Sequence, residues 1–400
     1  MFRSIVAVIA LAALSLCTPA AAQSGHTDAA LTHSLQQALD TYVTTRAKLE
    51  HISAASLTIS LKGTGNTINL AAGTTRYPDA GAKATPASLF EIGSITKSFT
   101  SVAILHLEAA GKLTIEDTIG KWLPQYPAWK DVPIRRLLDM TSPIPGYDNQ
   151  PSIGRLMGQD PNHRFTPQEL VASVYPHDGK PEPVSGWTYS NTNYILAQMI
   201  IEKAAGKSYA EVMRELFDQV GLKNTYYEQN LYPASITDRM VSGYFFNHDP
   251  DDEALARLLG HDVKSDSVSW MQGAGGIVAS MQDVAHWARA LYEGPLLADR
   301  QRSELLTIVS DKTGAPIAHT STENPSAFGL GVGAGFRPKL GAYWYYQGMT
   351  LGYRVLYAYF PDSGAIIVVG LNSQPDDKQN RNGPLLEEIY GILQEAGKVR

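Results

Sequence analysis

Phe90-Glu91-Ile92-Gly93-Ser94-Ile95-Thr96-Lys97-Ser98-Phe99-Thr100 is the stretch on which the fold turns. A helix is expected from about Ser94 to Gly111, where the glycine is a fitting stop. A serine at that start sits in the positive field of a helix N-terminus. Lys97 follows three residues later, almost one turn on, so both side chains face the same cleft. A lysine beside a serine can act as its base when burial or a neighbouring cation keeps it neutral. The plainer reading makes Ser94 a cap and Lys97 a surface lysine. At ordinary composition about one S-x-x-K arises by chance in a chain of this size, so the tetrad needs company.

On the N-terminal side, Leu31, Leu35, Leu39, Tyr42 and Val43 recur at helical spacing and give an amphipathic helix over 31–49. Leu57, Ile59 and Leu61 alternate with polar residues as a half-buried strand. Gly63-Thr64-Gly65-Asn66 turns the chain into a second strand through Ile68 and Leu70. On the C-terminal side, 342–346, 355–360 and 366–371 read as strands, the last two joined by Pro361-Asp362-Ser363-Gly364, and Leu386, Ile389 and Leu393 mark a closing helix. Between them the chain is rich in Pro, Tyr and short helical patterns. Thr166-Pro167-Gln168-Glu169 and Ser208-Tyr209-Ala210-Glu211 fit capping boxes, and 193–205 is helical. The expected fold is α/β (α+β): an antiparallel sheet of about five strands flanked by helices, built from 23–112 and 277–400. A mainly helical domain, 113–276, is inserted.

A second candidate is Tyr189-Ser190-Asn191, in the loop before the 193–205 helix. A tyrosine hydroxyl near a neutral lysine can shuttle a proton to a leaving group. An asparagine amide can orient the lysine and a substrate carbonyl. Against this, Asn191 or Thr192 could simply cap the helix while Tyr189 packs in the core.

Together the two motifs resemble the serine β-lactamase and penicillin-binding protein superfamily, an S-x-x-K signature group. Within it the chain looks like class C β-lactamases, D-alanyl-D-alanine carboxypeptidases, D-aminopeptidases and the related family VIII esterases. The resemblance runs over roughly residues 31–395. Leu137-Leu138-Asp139-Met140-Thr141-Ser142-Pro143-Ile144-Pro145-Gly146 is similar to the family's LL-x-H-T-S-G-I-P loop, with Met140 and Pro143 as departures. Trp187 to Tyr194 matches the Y-x-N segment, and Gly273-Ala274-Gly275-Gly276-Ile277 with Asp283 resembles a G-x-x-G-G-I…D stretch. The resemblance implies a β-lactamase/transpeptidase-like fold and roles for single residues. Ser94 is then the nucleophile, Lys97 and Tyr189 exchange protons with it, and Asn191 holds substrate and Lys97. The oxyanion hole takes the N–H of Ser94 and one N–H on an edge strand.

The family's third motif, K-T-G or H-x-G, falls on Tyr346-Gln347-Gly348 when anchored on Gly352-Tyr353. Gly348 is kept, Met349 supplies the second oxyanion N–H through its backbone, and Tyr346 and Gln347 join Asn191 and Gly348 in substrate binding. The motif's cation is gone. Arg354 and Lys339 are the basic residues nearby that could replace it.

Of 400 residues, 44% are hydrophobic and 18% charged, which excludes wholesale disorder. With Lys+Arg at 33 against Asp+Glu at 39 and no basic run, no nucleic-acid partner is expected. Met1-Phe2-Arg3, the apolar stretch 5–16 and Ala20-Ala21-Ala22 read as a secretory signal peptide over 1–22, and its cleavage removes Cys17, the one cysteine. An exported protein is expected, periplasmic in a Gram-negative cell, with no membrane span in the mature chain. There is no H-E-x-x-H and the histidines are dispersed, so neither metal nor cofactor is expected. The G-x-S-x-G elbow of α/β-hydrolases is missing. The run Gly329, Gly331, Gly333, Gly335 reads as a turn near the sheet, since it does not fit a phosphate loop.

The expected function is an exported serine hydrolase that cleaves a small-molecule or peptide amide or ester through an acyl-enzyme on Ser94. A β-lactamase or D-alanyl-D-alanine carboxypeptidase proper is the alternative. A non-catalytic binder of penicillin or cell-wall peptide is the reading from a different class.

Overall fold

The computed structural model describes residues 20–63, 67–176, 186–248 and 254–399. Most of the expected leader (1–22), most of the 63–66 turn and the acidic run 249–253 lie outside them. Ten strands of the described residues form one antiparallel sheet. In chain order they are β1 Ala54–Ser60, β2 Thr67–Arg76, β3 Ala80–Lys83, β4 Ile308–Ser310, β5 Pro316–Ile317, β6 Ser326–Phe328, β7 Gly333–Arg337, β8 Gly341–Met349, β9 Arg354–Phe360 and β10 Ala365–Leu371. Their spatial order is β3-β2-β1-β10-β9-β8-β7-β6-β4-β5. The five expected strands are the centre of this sheet. The other five hold two to five residues each, too few to display an alternation that identifies a strand.

Alternation in β9 and β10 assigns the two faces. Leu356, Ala358, Ile367, Val369 and Leu371 pack with Leu35, Leu39, Leu386, Ile389 and Leu393, on the N-terminal helix Ala20–Glu50 and the C-terminal helix Asn382–Glu395. Val355, Tyr357, Ile366 and Val368 face the other way, into a core that includes Phe99 and Trp287. Both faces of the central strands are covered, so their sequences run continuously apolar. The second core continues without a break into Leu137, Ile195, Ile200 and Met213 of the mainly helical stretch. There the two expected capping boxes form, at Thr166 with Glu169 and at Ser208 with Glu211.

Two features fix the chain around Ser94. The expected helix divides: a single 3-10 turn, Gly93–Ile95, holds Ser94, and the α-helix runs from Thr96 to Ala109, with Gly111 at φ +69° closing it. Before that turn, Leu89–Glu91 pairs with Ile277–Ser280, and Ile92 N–H donates to Ile277 O at 2.9 Å. Glu91 in this strand is buried. Burial pushes its carboxyl up to about 8, against a hydrogen bond with Thr350 that lowers it, while Asp266 and Asp262 raise it further.

Arg354 does not reach the Ser94 cleft. It alternates with Val355 onto the face of the terminal helices, where its Nη1 meets Glu50 Oε2 at 2.8 Å with both side chains fully buried. Glu50 also accepts from Arg46 at 2.7 Å and Tyr42 at 2.8 Å, and Arg354 Nε donates to Ser373 O at 2.7 Å. Lys339 is no substitute: it is exposed on the β7–β8 turn, and Tyr346 lies five residues up β8 from Gly341, roughly 17 Å at strand rise.

Removing one partner of a buried ion pair strands the other charge, at a cost of about 3–5 kcal/mol. Glu50→Ala should therefore lower the urea midpoint by that equivalent, and Glu50→Leu combined with Arg354→Met should recover most of it. For Glu91 the fold favours the protonated acid. Its contribution to stability is complete below about 4.5 and is lost as pH rises toward 8. Unfolding free energies from urea titrations at pH 5 to 8.5 should show the natural protein falling progressively below Glu91→Gln, by on the order of a few kcal/mol at the alkaline end.

Candidate active site

Ser94 sits where three segments meet. Its Oγ accepts from Lys97 Nζ at 2.9 Å and from Tyr189 OH at 2.7 Å. Lys97 is fully buried and makes two further bonds, to Asn191 Oδ1 and to the carbonyl of Ala274, each 2.7 Å. Its Nζ also stands 4.9 Å from the centroid of the Tyr189 ring. The structure thus brings together Ser94, Lys97, Tyr189 and Asn191, which lie up to 97 positions apart in the sequence. The capping alternative does not describe this turn, while the Tyr189 ring does pack against the core and its hydroxyl still reaches Ser94. Ser190, not Asn191 or Thr192, precedes the first turn of helix Asn191–Ala205, and the Tyr189 hydroxyl points at Ser94.

The loop under this motif explains one departure from the family pattern. Met140 is buried with φ +64°. Its Sδ lies 3.4 Å from Ser190 N and 3.6 Å from Asn193 Nδ2, and its carbonyl accepts from Thr188 N–H at 3.0 Å. A thioether acts here as a weak acceptor beneath the loop that carries Tyr189.

β8 borders the other side of Ser94. β7 covers β8 only up to Tyr345, which pairs with Gly333. Thr350 N–H bonds Tyr353 O at 2.9 Å, so bonds to β9 fall on the even residues of β8. Gln347 and Met349 then turn their N–H and C=O to the open edge. Two glycines let that edge touch the nucleophile turn. A Cβ on Gly348 would lie 1.8 Å from Ile92 O and 3.0 Å from Ser94 N, and one on Gly93 (φ +50°) would lie 2.7 Å from Met349 N. The backbone nitrogens of Ser94 and Met349 are therefore neighbours, the arrangement an oxyanion pocket needs. The glycine run is only half a turn: Gly329 and Gly331 lie in it while Gly333 and Gly335 belong to β7, and Gly331 presses the turn onto the helix, where a Cβ would lie 2.7 Å from Lys97 O.

Tyr346 occupies the third-motif position. It is buried, and its hydroxyl is 3.4 Å from that of Tyr189. Burial first, then the neighbouring Tyr189 and Tyr194, pushes its phenol well up, so it is a neutral donor. Beside it opens a cavity of about 240 Å³ lined by Trp187, Tyr189, Phe328, Tyr345, Tyr346 and Gln347, with Asp311 in its wall. Phe328 meets both Trp187 and Tyr346 edge-on, at 5.7 Å. The sequence offered no signal for Asp311 or Phe328, which arrive from short strands and turns. Ala274 was flagged only as part of a glycine-rich stretch, because a backbone carbonyl carries no residue signature.

The family model described as Beta-lactamase matches residues 36–390. Penicillin-binding protein 4* of Bacillus subtilis (strain 168) is 31% identical over 235 residues, 58% of this chain and 51% of that protein, so the chain spans about half of this relative's length. A teichoic acid D-alanine hydrolase of Staphylococcus aureus is 26% identical over 171 residues, 42% of this chain and 39% of that one. Among solved structures, D-amino acid amidase from Ochrobactrum anthropi SV3, complexed with L-phenylalanine amide, superposes with a TM-score of 0.75 at 23% identity, covering 92% of this chain and 99% of that one. With its sheet, its two-motif cleft and a match of this length, the chain belongs to the Beta-lactamase family.

Proposed function

We propose that the protein hydrolyses an amide or ester lacking a carboxylate beside the scissile bond, through an acyl-enzyme on Ser94. The observation that carries this is the double hydrogen bond at Ser94 Oγ, from Lys97 and Tyr189, beside the paired backbone nitrogens of Ser94 and Met349. In this reading Ser94 Oγ attacks the carbonyl carbon while its proton passes into the Lys97–Tyr189 pair. The oxyanion forms against the two N–H groups, and Tyr189 returns the proton to the departing nitrogen or oxygen. Water then repeats the sequence in reverse roles and releases the acid. Asn191 holds Lys97 in place and offers its amide to the substrate.

Tyr346 narrows the substrate. A lysine or histidine there would meet a carboxylate with a charge-assisted bond, whereas a neutral phenol gives an ordinary one. The names of the relatives agree with a range of acyl substrates, a penicillin-binding protein and a D-alanine hydrolase in sequence and a D-amino acid amidase in fold. The first name also favours a second reading, a β-lactam target or binder that acylates and does not turn over. The pattern of residues 1–22 supports export, with the chemistry taking place outside the cytoplasm; the N-terminal sequence of the mature protein tests that.

A fluorescent penicillin and a nitrophenyl ester, assayed side by side, separate the readings: ester turnover supports the hydrolase, and a stoichiometric burst with both supports the binder. A fluorophosphonate probe should label the peptide containing Ser94, and Ser94→Ala should label at background. Lys97→Ala and Tyr189→Phe should each lower kcat by about 10²- to 10⁴-fold, with little change in KM; an unchanged kcat in both removes the relay.

Losing a charge-assisted bond costs about 1.5–3 kcal/mol, one to two decades in kcat/KM. Tyr346→His should therefore raise kcat/KM for penicillins by roughly 10- to 100-fold and change neutral-ester turnover much less. Efficient penicillin hydrolysis by the natural protein, left unchanged or lowered by Tyr346→His, would overturn the role given to Tyr346.

A further inference from the structure

We infer that the cavity beside Ser94 is a recognition site for an ammonium group, with Asp311 as its counter-ion; the substrate class is then an amide or ester of a primary amine-bearing acyl group, such as a free amino acid. This rests on the hydrolase reading of Ser94. Asp311 is the only charged side chain among the described residues lining the cavity, and every other large side chain there is aromatic or amide. One carboxylate oxygen, Oδ2, accepts from Ser326 Oγ. The other, Oδ1, is buried without a hydrogen-bond partner. An unpaired buried carboxylate oxygen is costly and calls for a donor. Trp187 Nε1 is buried and unpartnered as well, and Trp187 lines the same cavity. Two residues of the wall therefore each carry one buried polar atom without a partner, a carboxyl oxygen and an indole N–H. An ammonium beside a carbonyl answers both.

The aromatic walls reinforce this selection. Trp187, Tyr189, Phe328, Tyr345 and Tyr346 line the space, and the rings of Trp187, Tyr189, Phe328 and Tyr346 pack on one another. A cation within about 6 Å of aromatic ring faces gains attraction from the ring quadrupoles, most when water is excluded. A carboxylate meets the opposite situation, since Asp311 repels it and Tyr346 brings no positive charge. Tyr189 belongs both to the cavity wall and to the hydrogen-bonded set at Ser94, so a ligand held by Asp311 lies next to the reacting hydroxyl.

Two measurements test the assignment separately from catalysis. In calorimetric titrations of the intact protein, benzylammonium should bind at least tenfold more tightly than benzyl alcohol, and Asp311→Asn, which keeps a partner for Ser326, should abolish that difference. In kinetics, kcat/KM for phenylalanine amide should exceed that for N-acetyl-phenylalanine amide, and Asp311→Asn should compress the ratio by roughly 10- to 100-fold, the range for loss of a charge-assisted contact. Equal binding of benzylammonium and benzyl alcohol to the natural protein overturns the inference whatever the variant does. Retained ammonium preference with no labelling or turnover at Ser94 upholds the Asp311 site and sinks the hydrolase reading.

Discussion

A buried amino group with three hydrogen-bond partners organises this molecule. Lys97 has no solvent exposure, and a polar group in such a place is tolerated only when it is hydrogen-bonded. The Lys97 Nζ meets three oxygens, Ser94 Oγ, Asn191 Oδ1 and Ala274 O. They come from the nucleophile turn, the start of the Asn191–Ala205 helix and the bend before Ile277–Ser280. The strand pairing of Leu89–Glu91 with Ile277–Ser280 holds the first and third together, and Met140 under Ser190 supports the second. The site's precision therefore belongs to the whole junction between sheet and helices and not to one loop.

The same junction decides what charge the cleft presents. Arg354, next in the chain to Tyr353 and close to the β8 edge, is carried by strand alternation to the opposite face and neutralised by Glu50. Tyr346 fills the place of a cation with a neutral ring. What remains lining the cavity beside Tyr346 is aromatic and amide surface with one carboxylate. The electrostatic character of the cleft is thus set by two placements, Tyr346 in and Arg354 out, that look minor in a linear sequence.

Ser94, Lys97, Tyr189 and Asn191 were legible because each lies in a short local motif whose chemistry depends on residue type. The central strands were legible because 57–61, 355–360 and 366–371 are long and strongly apolar. Other features escaped for physical reasons. Strands as short as Pro316–Ile317 carry no period, so half the sheet was unseen. The Ala274 carbonyl acts through its backbone. Asp311 gains meaning only when a turn between β4 and β5 folds against Trp187 and Phe328. Arg354 was open as a source of charge because sequence shows proximity along β9, while the pleat decides the face.

The position of β1 has a consequence for how the chain comes together as it is made. β1 lies between β2 and β10, with Leu57 opposite Val369. Asn372 reaches back to the backbone N–H groups of Ser53 and Ala54, at 3.0 and 2.9 Å. Glu50 waits for Arg354 in the same way. The middle of the sheet is therefore stitched from two segments more than 300 residues apart. A ribosome must deliver residue 372 before the central strands can close, and every shorter nascent chain holds β1 with one edge bare. The sheet closes around β1 only when Asn372, 318 residues beyond Ala54, has been made.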